Sequence, residues 1–172
     1  HDVTQRKRAE EAAQHRALHD ELTGLPNRPY FKDRLERAVA DAAVGDTALA
    51  VLFVDLNRFK EVNDSLGHAA GDEMLRVVAQ RLREAVRTSD VVARMSGDEF
   101  TILLPGISDR GAAVQVGWKV VDALREPVEI SNHEIVPQGV VGVSLYPEDG
   151  HDAETLLKRA DTAMYSAKER GG

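Results

Sequence analysis

Residues 94–100, RMSGDEF, interrupt what would otherwise be one long apolar run. VVARM (91–95) stands before the break and FTILL (100–104) after it. Both flanks are rich in β-formers, and Ser96-Gly97 between them reads as a two-residue hairpin connection. Two adjacent acids, Asp98 and Glu99, then lie at the pinch between two strands. An acid after glycine is also ordinary turn chemistry, so the hairpin alone does not explain them.

Reading outward from this hairpin gives a regular alternation. Residues 49–56 (LAVLFVDL) form a short, almost wholly apolar strand, the pattern of a strand buried on both faces. A loop follows, and Met74, Leu75, Val78, Leu82 and Val86 then mark a strong amphipathic helix. Beyond the hairpin, residues 111–126 read as a helix, 128–135 and 140–145 as a second hairpin, and 153–170 as a closing helix. Upstream, 3–19 is a polar, Ala-rich helix with a thin apolar face, the kind that pairs with a copy of itself or joins two domains. LTGLPNR (22–28) is a turn-rich stop, and 30–43 an amphipathic helix carrying Phe31, Leu35, Val39 and Ala42. Strand, helix, hairpin, helix, strand is the ferredoxin-like order. It predicts an α+β, palm-like sandwich with a mainly antiparallel sheet and its helices on one face.

Composition narrows the function. A chain of 172 residues with 42% hydrophobic content has enough material for one domain with a real core. No apolar run approaches a membrane span, and no signal peptide is visible. Cysteine is absent, which removes disulfides and thiolate metal sites and suits a reducing cytosol. The net charge of −7 argues against non-specific binding of nucleic acid or anionic lipid. It does not exclude a nucleotide, whose phosphates metal ions can neutralise locally. The opening HDVTQRKRAEEAAQHRALHD and the finish on AKERGG read as the edges of a module within something longer.

The predicted topology makes two acidic spots meet. The strand after the hairpin runs antiparallel beside 49–56, so Asp55, near the end of that strand, faces Asp98 and Glu99. Like charges this close raise each other's pKa unless something positive arrives. A hard divalent cation is the natural partner, and Mg²⁺ takes one or two carboxylates plus substrate phosphates. The loop after Asp55, NRFKEVNDSLGHAAGDEML, adds a second constellation. Asp72 can simply cap the following helix and Asn63-Asp64 can form an Asx turn. An amide and a carboxylate on one loop also match the edge of guanine. Neither a P-loop nor a dinucleotide fingerprint is present.

Four motifs in order, DELTGLPNR, FVDLNRFKEVNDSLGHAAGDEML, RMSGDEF, and LYPEDG followed by ADTAMYSAK, make the chain resemble a GGDEF domain, the diguanylate cyclase family, from about His19 to Lys168. The resemblance divides the chain into a signalling or linker helix (1–18) and a GGDEF domain (19–172). It implies condensation of two GTP into cyclic di-GMP and pyrophosphate by a two-fold homodimer using Mg²⁺ or Mn²⁺. On the family pattern, Asp55, Asp98 and the Leu56 carbonyl map to metal binding, and Asp98 with Glu99 to catalysis. Asn63 and Asp72 map to guanine, His68 to a substrate contact, and Lys60 and Lys168 to the phosphates. Arg87 and Asp90 fall where the family carries its R-x-x-D product-inhibition motif; read bare, they are an exposed helix end. The resemblance also implies a cytoplasmic setting, alone or as the cytosolic part of a larger, membrane-attached protein with fused sensor and output domains.

Some positions depart from the family pattern. Ser96 replaces the first glycine of the signature, where a positive φ would be costly for any Cβ. Asn57 stands where a second Asp is usual, Val140 where Ser is expected, and Pro137 forces the last strand to start after it. His15 and His19, at i and i+4, have no third ligand in view. His133 and His151 read as surface loop residues, Trp118 as packing, and the methionines as gap fillers. Two further readings stand beside the active cyclase. One is a catalytically weak GGDEF module that binds GTP or cyclic di-GMP and regulates a fused, phosphodiesterase-type domain. The other is a different nucleotidyl cyclase, against which Asn63 and Asp72 favour guanine over adenine.

Overall fold

The structure, a computed structural model, describes residues 2–171. His1 and Gly172, the outer limits expected for the linker helix and the domain, lie outside the described residues. In chain order the elements are α1 (Asp2–Leu18), α2 (Arg28–Gly45), β1 (Leu49–Asn57), α3 (Phe59–Leu66), α4 (His68–Ala85), β2 (Val91–Ser96), β3 (Glu99–Pro105), α5 (Arg110–Leu124), β4 (Val128–Ile130), β5 (His133–Ile135), β6 (Gln138–Tyr146) and α6 (Ala153–Glu169).

β1 organises the rest. Its first eight residues are all buried, so it needs a strand on each edge and a helix layer on each face. It lies between β3 and β6, antiparallel to both, in a four-stranded sheet of order β2-β3-β1-β6. Ala50, Leu52, Val54 and Leu56 pack with Met74, Val78 and Leu82 of α4 and Val120 and Leu124 of α5. Leu49, Val51 and Phe53 pack with Phe31 and Leu35 of α2 and Leu156, Ala160 and Met164 of α6. Helices therefore cover both faces, not one as the element order alone suggested. The doubly buried pattern of β1 already required this.

Local chemistry sets the helix ends. The Asn27 side chain accepts the Tyr30 N–H at 3.2 Å, Asp109 that of Ala112 at 2.8 Å, and Asp152 that of Thr155 at 2.7 Å. Each satisfies one of the donors that a helix start leaves unpaired. The side chains of residues 3–18 in α1 are exposed, and this helix packs mainly on α2. Among the described residues no helix is long and apolar enough to cross a membrane.

Three details differ from the sequence expectation. The segment read as a loop after Asp55 contains α3. Residues 128–135 do not pair with 140–145: β4 and β5 form their own hairpin, and β6 joins the main sheet at its edge. Ser131 and Asn132 turn that small hairpin with φ of 52° and 65°, the pair of left-handed residues that a tight hairpin turn needs. In the signature hairpin Ser96 pairs with Glu99, so the connection is Gly97-Asp98, one residue later than expected. Gly97 takes the left-handed φ of 43°, and Ser96 has no positive φ to bear.

Gly142 sits in mid-β6 where α6 crosses, and a Cβ there would run into the backbone of Ala160 and Met164. Helix backbone cannot step aside as a side-chain tip can. Gly142→Ala is expected to lower the unfolding free energy by roughly 2 kcal/mol or more in a denaturant titration, through overpacking. A melt within 0.5 kcal/mol of wild type would contradict this packing.

Candidate functional site

The antiparallel register sets Asp55 of β1 opposite Glu99 of β3 on one side and Val140 of β6 on the other. Flanked in this way, Asp55 is only 8% exposed in a strand with no basic residue. Its charge is met from outside the sheet. Lys168, in the last turn of α6, donates Nζ to Asp55 Oδ2 at 2.9 Å, which raises the lysine pKa. The other oxygen, Oδ1, is buried without a hydrogen-bond partner.

Asp98 stands in the hairpin turn, and its backbone carbonyl accepts the Leu56 N–H at 3.3 Å. Its carboxyl is pushed up to about 6, first by burial and then by the neighbouring charge of Asp55; Lys168 acts in the opposite direction. Asp55, Asp98, Lys168 and the Leu56 backbone thus converge at one end of the sheet. Glu99 is beside them, but its Oε1 accepts the Ser96 hydroxyl at 2.8 Å.

This donor set fits a hard cation. Two neighbouring carboxylates, one with a buried oxygen that no protein donor satisfies, supply the oxygen ligands that such an ion prefers. Among the described residues no group of three or more His, Asp or Glu is placed to hold a metal. A two-carboxylate set suits an ion that completes its shell with water and phosphate oxygens, as Mg²⁺ does.

The second constellation lies on the facing helices α3 and α4. Asn63 belongs to α3 and Asp72 to the second turn of α4, so Asp72 caps nothing and Asn63 is in no Asx turn. The Asn63 Oδ1 is buried and unpartnered, and it occupies the space a Cβ on Gly71 would fill. Asp72 is half-buried, whereas Lys60 and His68 are exposed, His68 as the first residue of α4. An amide with an unused buried acceptor, near a half-buried carboxylate, is an arrangement that a polar ligand edge can complete.

Arg87 and Asp90 lie at the opposite end of β2 from the hairpin. They bind each other: Arg87 donates from Nε at 3.3 Å and NH2 at 2.9 Å to the two Asp90 oxygens, and from NH2 to the Pro105 carbonyl at 3.2 Å. The Asp90 hydrogen bond and charge raise the Arg87 pKa. The departures are absorbed structurally. Val140 is 3% exposed and packs in the α2–α6 core, and β6 starts directly after Pro137. Asn57 lines an apolar groove between α5 and β6 that also includes Trp118, which is 60% exposed and so not the packing residue its helix suggested. His15 and His19 stack on each other in parallel, 3.9 Å between ring centroids. Sequence reading missed Asp20 and Arg94, which form an ion pair at 3.0 Å between the DELTGLPNR turn and the signature hairpin. Their separation by more than seventy residues hid the pairing; the only sequence signal was a lone arginine inside an apolar strand.

The Asp98 shift has a definite sign for stability. Its folded-state pKa, about 6, lies above the free value of 3.8, so the folded state holds the proton more tightly. Ionised Asp98 therefore destabilises the metal-free fold progressively as pH rises from about 4 through about 6. Asp98→Asn is expected to be more stable than wild type at pH 7 in EDTA, by about 1 kcal/mol after discounting for solvent screening. The gap should close toward pH 4 in thermal melts. A difference independent of pH would contradict the assignment.

Comparison with known proteins identifies the family. The family described as "Diguanylate cyclase, GGDEF domain" matches residues 17–172. The diguanylate cyclase TpbB of Pseudomonas aeruginosa is 45% identical over 157 residues, covering 91% of this chain and 36% of TpbB. A structure comprising only its GGDEF domain superposes with a TM-score of 0.86 at 44% identity, covering 88% of this chain and 89% of that one. The bifunctional diguanylate cyclase/cyclic di-GMP phosphodiesterase MucR of the same species is 46% identical over 155 residues, 90% of this chain and 22% of MucR. The coiled coil and GGDEF domain of DgcB from Caulobacter crescentus, in complex with c-di-GMP, gives a TM-score of 0.89 at 26% identity, covering 99% of this chain and 90% of that one. The chain thus spans about a third of TpbB and a fifth of MucR, and it belongs to the GGDEF domain family of diguanylate cyclases.

Proposed function

We propose that the domain is an active diguanylate cyclase, converting two GTP into cyclic di-GMP with release of pyrophosphate. The observation that carries this reading is the orphaned oxygen of buried Asp55 beside the hairpin turn that bears Asp98. Asp55, Asp98 and the Leu56 carbonyl would hold Mg²⁺ or Mn²⁺, which when bound lowers the pKa of the attacking hydroxyl and offsets charge on the α-phosphate.

The remaining chemistry belongs to side chains of this chain. Asp98 takes the proton of a ribose 3′-hydroxyl as that oxygen attacks the α-phosphorus of the other GTP and pyrophosphate leaves. Glu99 is the second acid of the pair. Lys168 and Lys60 face the phosphates and the leaving pyrophosphate. Asn63 and Asp72 take the guanine edge, with His68 as a further substrate contact. Each domain presents one GTP, so two domains must face each other about a two-fold axis, and alignment of the two substrates then supplies much of the rate. The exposed α1 is the element that would set this dimer and join it to an upstream sensor.

The Arg87–Asp90 pair is the product-inhibition site of this proposal: Arg87 offers a fork that matches a phosphate or the guanine O6/N7 edge. The alternative, a catalytically weak module regulating a fused phosphodiesterase-type domain, is favoured by the Ser96 hydroxyl that engages Glu99.

Incubating a dimer of this domain with GTP and Mg²⁺ is expected to yield cyclic di-GMP, with ATP inert and Asp55→Asn slower by a factor of about 1,000 or more. GTP or cyclic di-GMP binding without turnover would select the regulatory reading. Cyclic di-GMP should inhibit the wild type, and Arg87→Ala should abolish both that inhibition and product binding at this end of β2. Undiminished binding by Arg87→Ala would remove the site.

A further inference from the structure

The ladder of the signature hairpin is interrupted at Met95, one residue before the Ser96–Glu99 pair that closes its turn. The β2–β3 register shifts between Arg94 and Ser96, so the ladder loses a pairing just before the turn that carries Asp98. Two other contacts replace it. On the β1 side the Leu56 N–H reaches the Asp98 carbonyl. On the opposite side Arg94, whose side chain is 17% exposed, donates Nε to the Gly97 carbonyl at 2.9 Å and NH1 to Asp20 Oδ1 at 3.0 Å. The Arg94 backbone N–H also reaches the Pro26 carbonyl at 3.0 Å.

Asp20 is itself fixed. Its other oxygen accepts the Thr23 N–H at 2.8 Å and the Thr23 hydroxyl at 2.7 Å. The turn it belongs to is joined to the last turn of α1: Asn27 donates its backbone N–H to Leu18 O at 3.0 Å and Nδ2 to Ala17 O at 2.8 Å. Hydrogen bonds therefore tie the 20–27 turn to the end of α1 through Asn27, and tie Asp20 and Pro26 of that turn to Arg94, which reaches the carbonyl of the residue before Asp98.

We propose that Arg94 is a positioning residue that sets where the Asp98 turn lies, and that Asp20 ties this setting to the end of α1. The guanidinium is suited to the task because its planar fork serves two acceptors in fixed directions, which a lysine ammonium on a flexible stem does not. The rate consequence rests on the cyclase reading above. The structural consequence does not.

The test uses Arg94→Ala, Arg94→Lys, Asp20→Ala and the Asp20→Ala/Arg94→Ala pair, each with the whole chain and each compared by amide hydrogen exchange and by GTP kinetics. Arg94→Ala should speed exchange of the Leu56 N–H at least tenfold while Leu52, in mid-β1, keeps its wild-type protection. It should lower kcat by about 10- to 100-fold, with the GTP KM within threefold, the mark of displaced catalytic groups and intact binding. Arg94→Lys, which keeps the charge but loses the fork, should fall between. The double variant should be no worse than Arg94→Ala alone, because the two residues act as one unit. Unchanged Leu56 exchange in both Arg94 variants, or additive effects in the double variant, overturns the proposal. Global loss of protection in Arg94→Ala passes the decision to Arg94→Lys. A wild type that exchanges as expected but makes no cyclic di-GMP counts against the proposed function and leaves the positioning role standing on the exchange result.

Discussion

Two carboxylates brought together at the end of a buried strand repel one another, and much of this domain's architecture holds them there despite that. Asp55 is carried by the most deeply buried strand of the sheet, where the backbone has little freedom to relax. Asp98 is carried by a turn whose position depends on Arg94 and on the Leu56 N–H. Lys168 arrives from the far end of the chain and relieves Asp55 on one oxygen only. Such an arrangement lowers the stability of the empty domain and makes it receptive to positive charge. It is the kind of local conflict that folds tolerate where chemistry is done.

The two helix layers serve this end in different ways. α6 supplies Lys168, and it can approach the sheet closely enough because β6 has glycine at position 142. α3 and α4 hold Asn63 against Gly71, leaving a buried amide oxygen with nothing inside the protein to bond. Both devices use absent side-chain atoms to place polar ones. The two glycines, unlike the Lys168 and Asn63 they help to place, would attract no notice from their chemistry alone.

What could be read from the chain was governed by range. The apolar run at 49–56 and the broken run around RMSGDEF carry strong short-range patterns, and with the ferredoxin-like order they are enough to set Asp55 beside the hairpin acids. The β4–β5 hairpin escaped because Ser131-Asn132 is a weaker turn signal than Asn-Gly, although both residues adopt left-handed backbone. The α3 helix was hidden in a polar segment of eight residues, too short to show two full periods. Asp20–Arg94 is a tertiary contact, and no local pattern reports it. Ser96, a departure that looked costly, is harmless to the backbone because the turn sits one residue later and Gly97 takes the strained conformation.

The closed Arg87–Asp90 pair has an implication of its own. Asp90 is almost fully covered, with a side-chain exposure of 2%, while its arginine is 58% exposed. Any anion that captures Arg87 must first compete with a carboxylate already in place and leave that carboxylate in search of new donors. The apparent affinity of that anion is therefore reduced by the fraction of time the pair stands open, which moves the working concentration range upward and leaves the response graded.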